Sequence, residues 1–397
     1  MNVPLLDLQA QNQPLEPELK AVFDSVLRSG RFILGPEVEA LEASIAALSG
    51  ATYGIGVSSG TDAILLALMA LEIGPGDEVL CPTFTFFATA GCIARTGATP
   101  VWVDIDPVSF NIDVTKAEAK ITDRTKAIIP VHLYGQAADM DAVMALAAKY
   151  SLKVIEDTAQ AIHAGYKGKW VGGMGDFGTI SFYPTKNLGA FGDAGLLTAN
   201  DTDLAQKARW LRNHGDVARY VHTYVGGNFR LDALQAALLR VKLPYFASYV
   251  ERRRAHAQTY LQELSKLPGV VIASEADVTT PYSDLAAREQ SAGIKMVLPI
   301  ELSGRYHTWN QFTVRILGDG RRDAVRDFLR SKNIGCETYY PVTMDQQECF
   351  RSIGKGSDSL EVAHAFTTQT LSIPVYPELS AEQQAYVITS VAEALAL

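Results

Sequence analysis

The stretch TISFYPTKNLGAFGDAG, from Thr179 to Gly195, carries a single lysine, Lys186, between an apolar run and a cluster of small residues. Thr179 to Tyr183 reads as a strand, and Pro184, which has no N–H to give a ladder, ends it. A solvated surface lysine needs no such setting. Apolar neighbours desolvate an amine and lower its pKa, which suits a nucleophile that condenses with a carbonyl. The glycines that follow let the backbone approach a bulky group closely.

Around this stretch, short apolar or β-branched runs alternate with helical patterns. The runs are YGIGV (53–57), EVLC (78–81), VWVD (101–104), AIIPV (127–131), KVIE (153–156) and LLTA (196–199). Amphipathic stretches such as 63–72 and 139–150 lie between them. Such alternation predicts an α/β domain with a mainly parallel sheet, whose ligands sit beyond the carboxyl ends of the strands. After Arg240 the texture changes. A helical stretch at 249–267 leads to a strand-like run at 308–316, a helix at 321–332, a short strand near 336–340 and a last helix at 381–397. This predicts a large α/β domain over 1–245, with an N-terminal arm at 1–35, and a small α+β domain over 246–397. Residues 273–300 lack periodicity and are expected to be a loop or insertion.

Of the 397 residues, 48% are hydrophobic, enough for a large core, and the formal net charge is −9. That balance argues against a dedicated nucleic-acid surface, which needs clustered excess lysine and arginine. No basic segment followed by an apolar core opens the chain, and the apolar runs are too short or interrupted to span a bilayer. Cys81, Cys92, Cys336 and Cys349 form no CxxC pair and no zinc spacing with histidines. The expectation is a cytoplasmic enzyme for small molecules, with no metal, nucleic-acid or membrane partner.

Three further segments carry chemistry. In GVSSGTDAILLAL a strand ends at Val57 and a helix opens near Gly60 and Thr61. Free amides there face an anion, or Ser and Thr merely cap the helix. In CPTFTFFATAG several aromatics follow a strand; one can cover a planar ring, though aromatics more often mean core. In KVIEDTAQ a strand delivers Glu156 and Asp157 to its carboxyl end, with Gln160 one turn on. A carboxylate there can hold a protonated ring nitrogen, or cap a helix. GMGDFG (173–178) matches GxGxxG, but it precedes a strand instead of following one and opening a helix, so it reads as a flexible turn. Anion donors, a ring cover, a carboxylate for a pyridinium and an imine-forming lysine together make the inventory of a pyridoxal phosphate site.

These segments, with SGRFILGPEVEALE, VHLYGQAADMDAV, LRNHG, GGNFRLDALQAALL and YYPV, resemble the DegT/DnrJ/EryC1/StrS sugar aminotransferases over nearly the whole chain. The resemblance implies the aspartate-aminotransferase (fold type I) architecture. It implies that Lys186 forms the Schiff base and shuttles the proton, and that Asp157 pairs with the pyridinium. Gln160 lies near the 3-hydroxyl, Phe86 stacks on the ring, and Gly60, Thr61 and Ser181 bind the phosphate. Asn228 is implied as a phosphate ligand donated by the neighbouring subunit of a homodimer with shared sites. Tyr183, Arg230 and Asp345 are implied on the substrate side. Two departures stand out: Ala194 where the family often has glycine, and Asp345 where a histidine is common. The implied reaction is transfer of an amino group from L-glutamate to a nucleotide-linked keto sugar, with C-3 favoured over C-4. Cyclitol amination and a non-catalytic sensor on the same fold are the alternatives.

Overall fold

The computed structural model describes residues 1–396. Its centre is a seven-stranded sheet in the order Tyr53–Val57, Gly195–Ala199, Phe177–Ser181, Lys153–Asp157, Thr125–Ile128, Glu78–Pro82, Thr99–Val103. Gly195–Ala199 runs antiparallel to both neighbours and every other pair is parallel. The seven runs read from the sequence are these seven strands; 53–57 matches at both ends, and no end of the others is shifted by more than three residues. The shift at 127–131 has a local cause: Pro130 cannot donate to a ladder, and the strand stops at Ile128.

Both sheet faces are covered, which is why the strands read as continuous apolar runs rather than alternating ones. One face packs Ile55, Val79, Ile155 and Leu197 against the helices Gly60–Ala70, Phe87–Arg95 and Thr202–Arg212. The other packs Leu80, Val103, Ile128 and Val154 beneath the helix Met140–Tyr150. No helix among the described residues is long and apolar enough to cross a membrane.

The smaller C-terminal region has a four-stranded sheet, Val270–Ile272, Met296–Leu298, Phe312–Ile316 and Thr370–Ile373. The helices Phe246–Leu264, Arg321–Ser331 and Ala381–Ala396 pack on it around Tyr260, Phe312, Leu329 and Val387. This mixed α/β plus α+β arrangement is the fold-type-I architecture. The chain's first residues join the small core: Val3 is wholly buried there and bridges to Ile334.

Two expectations are corrected. Residues 273–300 are not a loop, because they contain the helix Tyr282–Ser291 and the strand Met296–Leu298. That helix buries only Leu285 and Glu289, and Glu289 is held by an ion pair with Arg315, so no apolar stripe announces it. The three-residue strand is too short to show a period. Residues 336–340 form no strand. Only Glu337 bridges, to Ser372, and the chain then turns into the wall of a cavity.

Candidate active site

Strand carboxyl ends at Val57, Pro82, Asp157 and Ser181 meet at one edge of the large sheet, and a cavity of about 760 Å³ lies beyond them. Its wall includes Gly60, Thr61, Phe86, Asp157, Gln160, Ser181, Tyr183 and Lys186. The later part of the chain closes it through Tyr339, Tyr340, Met344 and Gln347. Lys186 is the only basic side chain on the wall among the described residues.

Lys186 is placed by a turn. Its amide donates to the Tyr183 carbonyl (2.8 Å), with Pro184 at the second turn position, where its fixed φ is favoured. Asn187 anchors the next residue by donating from Nδ2 to the Thr308 carbonyl (3.0 Å). The loop then folds back so tightly that a Cβ on Gly189 would lie 2.2 Å from the Pro184 carbonyl oxygen. The small residues after the lysine therefore close the loop on itself. Ala194 has no positive φ, so the backbone there does not require a glycine. Lys186 is half-buried on the cavity wall. Burial pulls its pKa down to about 8 against the opposing charge of Asp157.

Glu156 and Asp157 are neighbours on a strand and so face opposite ways. Glu156 points away from the cavity, where its carboxylate accepts from the amides of Gly172 (2.9 Å), Met174 (2.7 Å) and Gly175 (2.8 Å). His132 Nε2 lies 3.1 Å from it, and because His132 Nδ1 accepts from the Ala138 amide, Nε2 carries the donated hydrogen. Burial alone would raise the Glu156 pKa; the His132 bond and the glycine amides outweigh it and hold the group below its usual value. The GxGxxG segment is thus an ordered cradle for a protein carboxylate.

Asp157 points into the cavity. Its Oδ2 accepts from Thr89 Oγ1 (2.8 Å) and its Oδ1 from the Ala159 amide (3.1 Å). No helix follows it, so capping is not its purpose. Burial raises its pKa, while Thr89, Ala159 and the Lys186 charge oppose the rise. Beside it, Gln160 Oε1 accepts from the Tyr134 amide (2.7 Å) and Nε2 donates to the Tyr340 hydroxyl (3.1 Å).

The anion end is the helix Gly60–Ala70. Ser59 Oγ accepts from the Asp62 amide (3.0 Å), and Ser58 ties back the Asp62 carboxylate (2.6 Å). The Gly60 and Thr61 amides remain at the helix start, where no intrahelical acceptor exists. A Cβ on Gly60 would lie 2.7 Å from Ser181 Cβ, so the glycine brings that serine against the helix end. Phe86 precedes the helix Phe87–Arg95 and is 58% exposed, its ring centroid 6.5 Å from that of Tyr340. Beyond that contact, much of the apolar ring is left open on the cavity wall.

Three expected residues lie elsewhere. Asn228 and Arg230 line a separate pocket of about 420 Å³ with Ile33, Ser58 and Asp193, and only Asp193 touches both spaces. Arg230 donates to Asn213 Oδ1 (2.6 Å). Asp345 is corrected: it sits behind the cavity wall, not on it. Its buried carboxylate accepts from Thr83 Oγ1 (2.6 Å) and pairs with His364 Nε2 (2.8 Å). Thr85, Thr89 and Tyr340 were missed as individual residues. The spacing of the two threonines, four apart at the start of a helix, was the available signal for them.

These residues fit pyridoxal phosphate. Asp157 is a buried carboxylate in need of a cation, Lys186 is an amine depressed to about 8, and the helix end has a glycine where a side chain has no room. Phe86 offers an open apolar face beside them.

The model of the DegT/DnrJ/EryC1/StrS aminotransferase family matches residues 14–392. The chain is 49% identical, over 99% of itself and 98% of the relative, to a pleiotropic regulatory protein of Geobacillus stearothermophilus. It is 43% identical, over 99% and 98%, to the UDP-N-acetyl-3-dehydro-alpha-D-glucosamine 3-aminotransferase of Acidithiobacillus ferrooxidans. Among solved structures it superposes on S. venezuelae DesV in complex with a ketimine intermediate, with TM-score 0.89, 39% identity and coverage of 99% and 98%. It also matches NtdA of Bacillus subtilis with bound cofactor PMP, with TM-score 0.86, 30% identity and coverage of 100% and 86%. The chain belongs to the DegT/DnrJ/EryC1/StrS family of pyridoxal phosphate-dependent aminotransferases.

Proposed function

We propose that the chain transfers an amino group from L-glutamate to C-3 of a nucleotide-linked 3-keto sugar. The observation that carries this reading is Lys186, with its pKa near 8, in the same desolvated cavity as the buried Asp157 carboxylate. The choice of C-3 is supported by the name of the relative that is 43% identical over nearly the full length of both chains.

Pyridoxal phosphate, when bound, supplies an aldehyde to take up amines and a ring to accept electrons. Everything else falls to the chain. Lys186 supplies the amine that holds the cofactor and, once released, a base of suitable strength to take the proton from the donor's α-carbon. Asp157 keeps a proton on the ring nitrogen by a charge-assisted hydrogen bond. The Gly60 and Thr61 amides and the Ser181 hydroxyl would hold the cofactor's phosphate, Phe86 would cover its ring, and Gln160 would meet its 3-hydroxyl. Tyr183, on the cavity wall and half exposed, lies on the substrate side. One site serves both half-reactions, so the kinetics are ping-pong.

A sugar nucleotide carries a diphosphate, and no arginine lines the Lys186 cavity among the described residues. The nearby pocket with Asn228 and Arg230 supplies polar and cationic groups on the same side of the sheet, through Asp193. Phe23, Leu27, Phe32 and Ile33, in the second half of the arm, are large apolar side chains left exposed. Both features support a homodimer in which Asn228 and Arg230 serve the neighbour's cavity. Four free cysteines suit the cytoplasm.

The test is direct. The holoenzyme is incubated with L-glutamate and a panel of UDP- and dTDP-linked 3-keto and 4-keto sugars plus a keto cyclitol, and the products are identified by mass spectrometry and NMR. A 3-amino sugar nucleotide is expected. Amination of the 4-keto sugars or the cyclitol alone would overturn the C-3 assignment. No amination of any ketone, with the cofactor bound, would favour a sensor.

A further inference from the structure

Thr89 is wholly buried in the first turn of the helix Phe87–Arg95, and its hydroxyl donates to Asp157 Oδ2 at 2.8 Å. An ionised carboxylate only accepts, so the Thr89 proton is committed to Asp157. Thr85 Oγ1, 3.1 Å from Thr89 Oγ1, must then donate to Thr89. The hydroxyl chain has a fixed direction: Thr85 to Thr89 to Asp157. Thr85 itself belongs to the cavity wall.

The same turn has a second task. The Thr89 amide donates to the Phe86 carbonyl (3.3 Å), so the backbone that carries the exposed ring also carries the hydroxyl that grips the carboxylate. The other donor to Asp157, the Ala159 amide, is two residues away and moves with it. Thr89 is 68 residues away in sequence, and its bond ties the strand Lys153–Asp157 to the neighbouring helix.

We infer that Thr89 is a positioning residue: it fixes the Asp157 carboxylate relative to Phe86, with Thr85 orienting its hydroxyl, so that ring cover and ring-nitrogen partner are set by one helical turn. The inference rests on the reading of Asp157 as the ring-nitrogen partner. Donation to the carboxylate also favours its charged form against the pull of burial.

The test uses the full chain reconstituted with pyridoxal phosphate labelled with 15N in the ring. Three variants are compared with the parent: Asp157→Asn, Thr89→Val and Thr89→Ser. The 15N shift reports protonation of the ring nitrogen, and cofactor affinity is measured on the unloaded chains. Asp157→Asn is expected to move the signal toward the unprotonated position. Thr89→Val, of nearly the same shape, is expected to move it in the same direction and to weaken cofactor binding. It should also lower kcat by about tenfold to a hundredfold, the effect of one hydrogen bond to a charged group, with little change in the donor's KM. Thr89→Ser should restore the signal, the affinity and the rate. A parent-like signal and rate in Thr89→Val, with Asp157→Asn altered, overturns the role of Thr89 alone. Failure of Thr89→Ser to restore them also overturns it, since the hydroxyl is then not what matters. A parent-like signal in Asp157→Asn removes the reading of Asp157 and the inference with it.

Discussion

The Lys186 amine should betray its surroundings before any cofactor is added. Burial takes its pKa from the usual value near 10.5 to about 8, and the charge of Asp157 limits the fall. At pH 7 a lysine titrating near 8 is about one-tenth neutral, whereas one near 10.5 is neutral in about one molecule in three thousand. The unloaded chain should therefore show one lysine roughly 300-fold richer in free amine than ordinary surface lysines at that pH. Competitive acetylation with trace isotopic reagent, read peptide by peptide in a mass spectrometer across pH 6–11, gives each lysine its own titration curve. Lys186 is expected to have its midpoint near 8. Asp157→Asn deletes the charge that favours the ammonium, so the midpoint must move lower and Lys186 must label faster at pH 7. The same depression affects stability. A group whose folded pKa lies below its unfolded one costs stability in its charged form: the cost is full below about 8 and fades as pH rises toward 10.5. Its size is about 3 kcal/mol. The unloaded Lys186→Met chain should thus exceed the parent most at neutral pH and lose its advantage by about pH 10.5, with the gain reduced because Asp157 also loses its cation. A Lys186 midpoint near 10.5, or an upward movement in Asp157→Asn, would refute the reasoning.

Three other outcomes follow from the geometry. Gly60→Ala puts a methyl 2.7 Å from Ser181 Cβ and should cost about 1–3 kcal/mol of stability by overpacking, with weaker cofactor binding; thermal unfolding and a pyridoxal phosphate titration check this, and parent-like values in both would contradict the packing at the helix end. Glu156→Gln breaks a buried carboxylate cluster and should cost about 3–5 kcal/mol at pH 7; because the folded pKa of Glu156 lies below the usual 4.5, that loss should hold steady down to about 4.5 and shrink only at lower pH, and a deficit in urea unfolding that already disappears well above pH 4.5 would argue against an ionised Glu156. For the shared-site dimer, inactive Lys186→Ala and Asn228→Asp chains are mixed, unfolded together and refolded. Hybrids then hold one doubly defective site and one intact site, so activity should return, and no recovery would place Asn228 in its own chain's cavity.

What could be read in the sequence follows the range of the interactions involved. Lys186 and Asp157 announce themselves because each depends on a strand, its end and the next few residues: Tyr183, Pro184 and the tight Gly189 loop for one, and the run KVI for the other. The seven strands are legible for the same reason, since burial on both faces writes itself as unbroken apolar runs. Helix 282–291 escaped notice because its inward face is held by Glu289 and its ion pair with Arg315, a partner 26 residues away. Asp345, implied on the substrate side by the resemblance, sits behind the wall for a similar cause: the groups that claim it are Thr83, 262 positions earlier, and His364 on a later helix. No local pattern records such contacts.

The split between Glu156 and Asp157 shows how the site holds a costly charge. Adjacent strand residues point to opposite faces, so one β-strand end serves two carboxylates with opposite treatment. Glu156 receives three backbone amides and a histidine, enough to stay ionised in the interior. Asp157 receives one amide and one hydroxyl, and its pKa is pushed up. Carboxylate oxygens accept more than one hydrogen bond each, so Asp157 retains acceptor capacity while Glu156 does not need a partner from outside. The saturated carboxylate anchors the strand, and the unsaturated one faces the space where a cation can bind. Reversing the two would put a satisfied anion in the cavity and an unsatisfied one in the core. That is why the order Glu-Asp, and not merely the presence of two acids, determines what this strand end can do.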